Sequence, residues 1–140
     1  MTAQSAPTIP DTMKAVIMRA PGDIVVEEVP VPHVAAPGDA VIKLAAACIC
    51  GSDLWPFRGL QPVENQRMGH EYVGTVVEVG EEVSTLKVGD FVIGSFMVSD
   101  STCEICQAGF PSHCANAGSY TGSQADYMRI EQADGTLVVL

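Results

Sequence analysis

A chain of 140 residues is long enough for one domain with a buried core, and its content of 47% hydrophobic against 17% charged residues indicates a folded globular protein. The formal net charge of −10 argues against binding nucleic acid, which requires a basic face, and against docking on anionic membranes. No apolar run approaches the roughly 18 residues of a membrane span. We therefore expect neither nucleic acid nor a membrane as a partner.

Residues 1–12 are polar, are rich in Ser, Thr, Pro and Ala, and lack the apolar middle of a secretory signal. We expect them to form a flexible N-terminal tail. Five cysteines in a chain without such a signal favour metal or redox sites over disulfides. We therefore expect a cytoplasmic protein.

Residues 13–140 alternate short β-branched segments with Gly/Pro turns, which predicts a mostly β domain of the barrel or sandwich type. Ser52 or Asp53 is placed to begin a short helical turn. Residues 99–122 have no hydrophobic period and bury little, so they require a metal or a crosslink to hold them. The predicted strands, the first two of them a hairpin, are Met13 to Arg19, Ile24 to Val29, Ala40 to Ala47, Val73 to Val79, Phe91 to Phe96, Ala125 to Ile130 and Thr136 to Leu140.

A first group of metal-type ligands consists of Cys50, His70 and Glu71, which offer a thiolate, an imidazole and a carboxylate. Ser52 lies two residues from Cys50, so its hydroxyl can face the same space and pass a proton. Asp53 can accept the second ring N–H of His70 and fix its tautomer. Local roles remain as alternatives, a helix cap for Asp53 and a backbone hydrogen bond for Ser52.

The blocks Cys50-Gly51-Ser52-Asp53 and Gly69-His70-Glu71, followed by Gly74, Gly80 and Val83, resemble the zinc-containing alcohol dehydrogenases of the medium-chain dehydrogenase/reductase family. The resemblance spans about residues 13–140. It implies the family's N-terminal catalytic domain, a GroES-like, partly open β-barrel with short helical turns and a zinc-binding lobe.

The resemblance implies a catalytic zinc on Cys50 and His70 with Glu71 beside it, and catalytic roles for Ser52 and Asp53. Zinc then acts as a Lewis acid on an alcohol, aldehyde or ketone, while hydride passes to or from NAD(P). Some family members have a His three residues after the Ser, where this chain has Trp55. A proton path to bulk water must therefore differ here.

The second group, Cys103, Cys106 and Cys114, matches three of the four ligands in the family's structural-zinc lobe. Asp100 stands where the fourth Cys is usual, and a carboxylate oxygen is also a zinc ligand. We therefore expect a structural zinc on Asp100, Cys103, Cys106 and Cys114. The alternatives are water or His113 as the fourth ligand, an empty lobe, or oxidised cysteines.

The Gly-x-Gly-x-x-Gly turn of a Rossmann domain is missing from the sequence. We therefore expect that the cofactor domain is absent, that NAD(P) enters only through it, and that this chain is an inactive portion of a homo-oligomeric dehydrogenase. One rival is a stand-alone GroES-like zinc-binding module without catalysis, and another is a zinc-free quinone-type reductase relative. The dehydrogenase hypothesis requires Cys50 and His70 to lie close enough to share an ion.

Overall fold

The structure is a computed structural model that describes residues 8–119 and 121–140. Strands dominate these residues, and each α-helix is only four residues long, which confirms the mostly β fold. The strands are β1 (Thr12–Ala20), β2 (Asp23–Pro30), β3 (Ala40–Cys48), β4 (Gln66–Arg67), β5 (Glu71–Val79), β6 (Phe91–Gly94), β7 (Met97–Val98), β8 (Gly118–Ser119), β9 (Tyr127–Ile130) and β10 (Leu137–Val139). The α-helices are α1 (Leu54–Phe57), α2 (Glu104–Gln107) and α3 (Ala133–Thr136), and 3₁₀ turns span Gly51–Asp53 and Pro111–His113.

The predicted N-terminal hairpin is confirmed, because β1 and β2 pair antiparallel with Met18 opposite Ile24. Its turn contains Gly22 at φ +76°, a conformation that glycine adopts without a Cβ clash. Strand β4 pairs with the other edge of β1, which gives a three-stranded sheet in the order β2-β1-β4.

The second sheet has five antiparallel strands in the order β10-β6-β5-β3-β9. Its central pair runs from Ala40 opposite Val79 to Cys48 opposite Glu71. The last residue of β3 thus faces the first residue of β5. The segments that leave β3 and enter β5 consequently meet at one end of the sheet, where both motifs of the first ligand group lie.

The main core lies on one face of this sheet. Ile42, Val76, Val92 and Ile130 are fully buried there, and Tyr72, Leu86 and Met128 pack with them. Full burial of one such aliphatic side chain stabilises the fold by roughly 1.5–3 kcal/mol. A second cluster, containing Met13, Val31, Val41, Val77 and Tyr127, joins the hairpin to the other face.

Backbone hydrogen bonds connect the two sheets. The Val16 N–H donates to the Gln124 carbonyl at 2.8 Å, and the Met68 N–H donates to the Val16 carbonyl at 3.0 Å. Ala15 forms an isolated antiparallel bridge with Ala125. The sheets therefore wrap around a common interior without closing completely, as a partly open barrel does.

Several element bounds differ from the sequence prediction. The segment from Phe91 to Phe96 is divided, since β6 ends at Gly94 and β7 begins at Met97. Residues 99–122 contain α2, a 3₁₀ turn and β8, although no regular structure was expected there. Elements of two to four residues are too short to show a hydrophobic period, so the sequence could not predict them.

Part of the predicted tail lies against the barrel. Residues 1–7 lie outside the described residues, but Ile9 packs on the second core cluster and the Asp11 carbonyl accepts the Val31 N–H at 3.0 Å. The described fold thus begins slightly before Met13. Among the described residues, none of the helices has the length and apolarity needed to cross a membrane.

Asp134, in α3, anchors the turn that follows β5. Its Oδ2 accepts the N–H and O–H of Ser84 at 2.8 and 2.7 Å, and its Oδ1 accepts those of Thr85 at 3.0 and 2.7 Å. Desolvation opposes ionisation, but the bonds from Thr85 and Ser84 lower the pKa of Asp134 to about 2. The carboxylate is therefore ionised and holds this turn to α3.

We expect Asp134→Ala to lower the free energy of unfolding by about 1–3 kcal/mol at neutral pH, since it leaves several donors without their acceptor. Asp23→Ala, at the exposed first residue of β2, is the matched control. The pKa is lower in the folded than in the unfolded state, so this stabilisation is complete above about pH 4 and is lost as the pH falls towards 2. Urea titrations at several pH values measure both effects. Equal pH profiles for Asp134→Ala and the wild type would contradict the assignment.

Candidate metal centres and active site

Gly69 sets the position of His70. It adopts φ +89°, and a Cβ at this residue would lie 2.6 Å from both Ser123 Oγ and Gln124 Cγ. Its carbonyl accepts the N–H groups of Gly122 and Ser123 at 2.8 and 3.1 Å. Only glycine satisfies both the backbone conformation and this close approach. His70 follows directly and is the residue before β5.

The structure brings the first predicted ligand group together. Sγ of Cys50, a ring nitrogen of His70 and a carboxylate oxygen of Glu71 all lie within 4.8 Å of one another. Cys50 and His70 are partly buried, and Glu71 is exposed. A thiolate, an imidazole and a carboxylate form a donor set that suits zinc, so these residues fit the metal that the sequence suggests.

The two nitrogens of the His70 ring face different partners. Nδ1 lies 3.3 Å from Asp53 Oδ1, and Nε2 lies 3.2 Å from Ser52 Oγ. The carboxylate favours a proton on Nδ1, which leaves the lone pair of Nε2 available to the Ser52 hydroxyl or to a metal. The ring of Phe96 packs edge-on against His70 with centroids 5.7 Å apart, and this contact restricts ring rotation.

Asp53 does not cap α1 with its side chain, which was the alternative, but it has another local role in the turn before that helix. Its Oδ2 accepts the Cys50 N–H at 2.9 Å, which completes the 3₁₀ turn Gly51–Asp53. Only 9% of the residue is exposed. One buried carboxylate therefore positions the backbone of Cys50 and the ring of His70 together. Ser52 does not take its local alternative among the described contacts, because its hydroxyl faces the imidazole.

A cavity of about 600 Å³ opens beside this group. Cys50, Ser52 and His70 lie on its wall, and the aromatic rings of Trp55 and Phe96 also line it. Trp55 is 50% exposed, so the position where some relatives have a His presents an apolar ring towards the cavity. A small organic molecule fits such a space next to the candidate ligands.

The second predicted group is also assembled. Ligand atoms of Asp100, Cys103, Cys106 and Cys114 lie within 4.8 Å of one another. Sγ of Cys103 is 3.4 Å from that of Cys106 and 3.9 Å from that of Cys114. His113, the alternative fourth ligand, is exposed and contacts the Ser112 hydroxyl at 3.1 Å. The geometry therefore favours Asp100 over His113 as the fourth member of this group.

Three N–H groups hold the Asp100 carboxylate. Oδ1 accepts the backbone N–H groups of Cys103 and Thr102 at 3.0 and 2.9 Å, and Oδ2 accepts the Asn116 side-chain amide at 2.7 Å. These bonds, led by that from Cys103, hold the pKa of Asp100 well below its usual range. A carboxylate has about four acceptor positions, so one remains for a metal.

The surroundings shift the pKa values of Cys103 and Cys106 in opposite directions. The backbone N–H groups of Ala115 and Cys106 lower the pKa of Cys103. The Ser99 hydroxyl lowers the pKa of Cys106, but desolvation and the nearby thiols and carboxylate outweigh it and raise that pKa to about 11. A bound divalent cation would reverse this effect and stabilise the thiolates.

Comparison with known proteins identifies the family. The family model "Alcohol dehydrogenase GroES-like domain" matches residues 36–139. The chain belongs to this family. The GroES-like barrel predicted from the sequence is therefore confirmed, and the relatives include zinc-type alcohol dehydrogenases, as the resemblance implied.

Three relatives illustrate the similarity. Over 90% of its length the chain is 41% identical to "Zinc-type alcohol dehydrogenase B" of Aspergillus flavus, of which it spans 31%. It is 40% identical to "Medium chain reductase/dehydrogenase ucsI" of Acremonium sp over 92% of its length, and spans 47% of that protein. The solved structure of "Alcohol dehydrogenase TADH from Thermus sp. ATN1" superposes with a TM-score of 0.85 at 33% identity, covering 91% of this chain and 40% of that one. The chain thus spans less than half the length of these relatives.

Sequence reasoning missed several residues of both groups. Asn116 contacts Asp100, and Ser99 contacts Cys106. Neither residue belongs to a motif that its spacing in the sequence would reveal. Phe96 was assigned only to a strand, and Arg67, which also lines the cavity, was given no role. Cys48 is exposed, because the sheet's core face covers only the first half of β3.

We expect Gly69→Ala to destabilise the fold by about 2–4 kcal/mol, because it combines a strained positive φ with a steric clash against Ser123 and Gln124. Chemical denaturation measures the loss. Gly38→Ala is the control, since a Cβ there meets nothing within 4 Å, and it should change stability by less than about 1 kcal/mol. Equal stability of the two variants would show that the close approach at Gly69 does not constrain the site.

Proposed function

We propose that this chain is the catalytic-domain portion of a zinc-dependent alcohol dehydrogenase-like oxidoreductase. The observation that carries the proposal is the convergence of Cys50, His70 and Glu71 donor atoms within 4.8 Å at the wall of a cavity. The similarity to zinc-type alcohol dehydrogenases supports it. The reaction is the interconversion of an alcohol with an aldehyde or ketone, with hydride transfer to or from NAD(P).

Cys50 and His70 would hold the catalytic zinc, with Glu71 beside it. Zinc bound there would act as a Lewis acid that lowers the pKa of an alcohol hydroxyl or polarises a carbonyl. Asp53 fixes the His70 ring through Nδ1, so that Nε2 presents its lone pair towards the cavity. Ser52 exchanges a proton with the substrate oxygen, because its hydroxyl lies beside the same ring nitrogen.

Binding of the cofactor, and therefore turnover, depends on another part of the protein. NAD(P) would be bound by a Rossmann domain outside residues 13–140. The chain spans only 31–47% of the length of its curated relatives, and we propose no cofactor-binding residue within it. Residues 13–140 alone would therefore bind zinc but not turn over alcohol. Homo-oligomerisation of the whole protein remains a prediction of the resemblance, and a cytoplasmic location remains a prediction from the cysteines and the polar N-terminal residues.

Metal analysis of the purified chain tests the proposal. We expect about two zinc ions per chain, about one in Cys50→Ser, and two in the control Cys48→Ser, whose exposed thiol belongs to neither ligand group. Cobalt substitution should show a thiolate charge-transfer band that weakens in Cys50→Ser. One zinc that is insensitive to Cys50→Ser would instead support a stand-alone zinc module, and no zinc would support the zinc-free reductase relatives.

We also propose that Asp100, Cys103, Cys106 and Cys114 hold a structural zinc that clamps the lobe of residues 99–122. Four protein donors are the number that a structural zinc takes, so an ion held there would have no open position and no catalytic role. The three cysteines come from segments with little core of their own, and a shared cation would connect them.

Asp100 variants test this second site. We expect Asp100→Ala to weaken zinc binding in the lobe by at least about 10-fold, and Asp100→Cys to retain it, because a thiolate restores the fourth ligand. Chelator competition followed with a chromogenic zinc indicator measures the affinity. Glu104→Ala removes a carboxylate from the same lobe without touching the ligand group, and is the control. Equal zinc affinities for Asp100→Ala and Glu104→Ala would show that another group completes the shell.

A further inference from the structure

We propose that Arg67 binds an anionic group, a carboxylate or a phosphate, on the substrate whose reactive oxygen reaches the Cys50, His70 and Glu71 group. The inference rests on the proposed function and specifies the substrate class: small hydroxy or oxo compounds that carry a negative charge. Its starting point is the environment of Arg67, the last residue of β4 and three residues before His70.

The guanidinium of Arg67 is partly buried without a counter-charge. Burial lowers the pKa of Arg67, although an arginine remains protonated. Within the described part of the chain, the ion pairs involve other bases, and no carboxylate pairs with Arg67. The chain has 17 acidic and only 7 basic residues, so a basic residue without an acidic partner is unexpected. Buried charges are usually paired, so a partly buried guanidinium without a carboxylate partner at a cavity is a candidate site for an anion.

The hydrogen bonds of Arg67 orient the guanidinium without neutralising it. Nη2 donates to the carbonyls of Gly122 and Tyr127 at 3.2 and 3.3 Å, and both acceptors are uncharged. Nε is buried and has no partner. Gly122 packs against this atom, since a Cβ there would lie 3.3 Å from it. The side chain is thus fixed in place, with its charge unsatisfied.

Arg67 faces the space in which the proposed chemistry occurs. It lines the cavity of about 600 Å³ that also contains Cys50 and His70. Among the described lining residues it is the only lysine or arginine, so it is the natural partner for a negative charge in that cavity. With a net charge of −10, the chain as a whole repels anions, and their binding requires such a local cation.

A second cavity of about 340 Å³ also contains Arg67, together with the hydroxyl residues Ser119 and Thr121. Arg129 lines it too, but its guanidinium is paired with Asp39 at 3.2 Å and Glu131 at 2.8 Å. Arg67, Ser119 and Thr121 are shared by the two cavities. Two hydroxyls next to an arginine supply neutral and charged donors for the oxygens of a carboxylate or phosphate.

An oxyanion at Arg67 could come from a substrate or from the phosphates of a nucleotide cofactor. We assign it to the substrate, because Arg67 lies in the same cavity as the candidate zinc ligands. The experiment therefore includes both sources. Its probes are 3-hydroxypropanoate and glycerol 3-phosphate, their uncharged counterparts 1-propanol and glycerol, and inorganic pyrophosphate for the cofactor.

The measurement uses the zinc-loaded, ¹⁵N-labelled chain. The Nε–H resonance of Arg67, assigned by its loss in Arg67→Lys, should shift and saturate with at least one anionic probe and not with its uncharged counterpart. Calorimetry should show that Arg67→Met weakens the binding of that probe by about 10- to 100-fold, which is the loss of affinity expected for a charge-assisted hydrogen bond. Arg58→Met is the matched control. It removes an exposed arginine and should leave the affinity for the probe within about twofold of the wild-type value. Circular dichroism confirms that each variant is folded, and the titration itself is followed on the wild-type chain.

Three results would overturn the inference. The first is that neither anionic probe shifts the resonance, which would make Arg67 a structural donor only. The second is that pyrophosphate alone shifts it, which would assign the group to the cofactor. The third is that Arg58→Met weakens the probe as much as Arg67→Met does, which would indicate a general charge effect. Zinc content is measured on the same samples, so a failure of the metal assignment at Cys50 is distinguishable from a failure of anion binding at Arg67.

Discussion

The position of the site depends on residues 66–71, which cross from one sheet to the other. This segment begins as β4 on the edge of the hairpin sheet and ends as the first residue of β5, in the centre of the larger sheet. Between them, Met68 and Gly69 hydrogen-bond with both the hairpin and residues 122–124. His70 lies on this crossing, so its position follows from the relative placement of the two sheets.

Asp53 couples the two motifs that form the first ligand group. One oxygen accepts the backbone N–H of Cys50 and the other faces the ring of His70. The carboxylate is almost fully buried, so both contacts act in a medium that screens them less than water does. A change that moves the 3₁₀ turn therefore also moves the imidazole, so the Cys50 thiol and the His70 ring shift together.

The sequence predicted the proximity of the candidate ligands better than it predicted the elements around them. Cys50 and His70 could be paired because each belongs to a short motif, and the pairing of β3 with β5 brings those motifs to one end of the sheet. The proximity of Asp53 to Nδ1 follows from the same spacing. The environment of Arg67 could not be predicted, since it depends on carbonyls more than fifty residues away. The helix and the 3₁₀ turn of residues 99–122 were missed because they are too short to show a hydrophobic period.

The two ligand groups differ in how far along the chain their members lie. Asp100, Cys103, Cys106 and Cys114 fall within one short segment, so the entropy lost on closing that loop is small. Cys50 and His70 are adjacent only after β3 and β5 have paired and the chain has crossed between sheets. In the proposed assignment, the lobe can capture its ion early in folding, whereas the ion beside the cavity can be captured only by a barrel that is nearly complete.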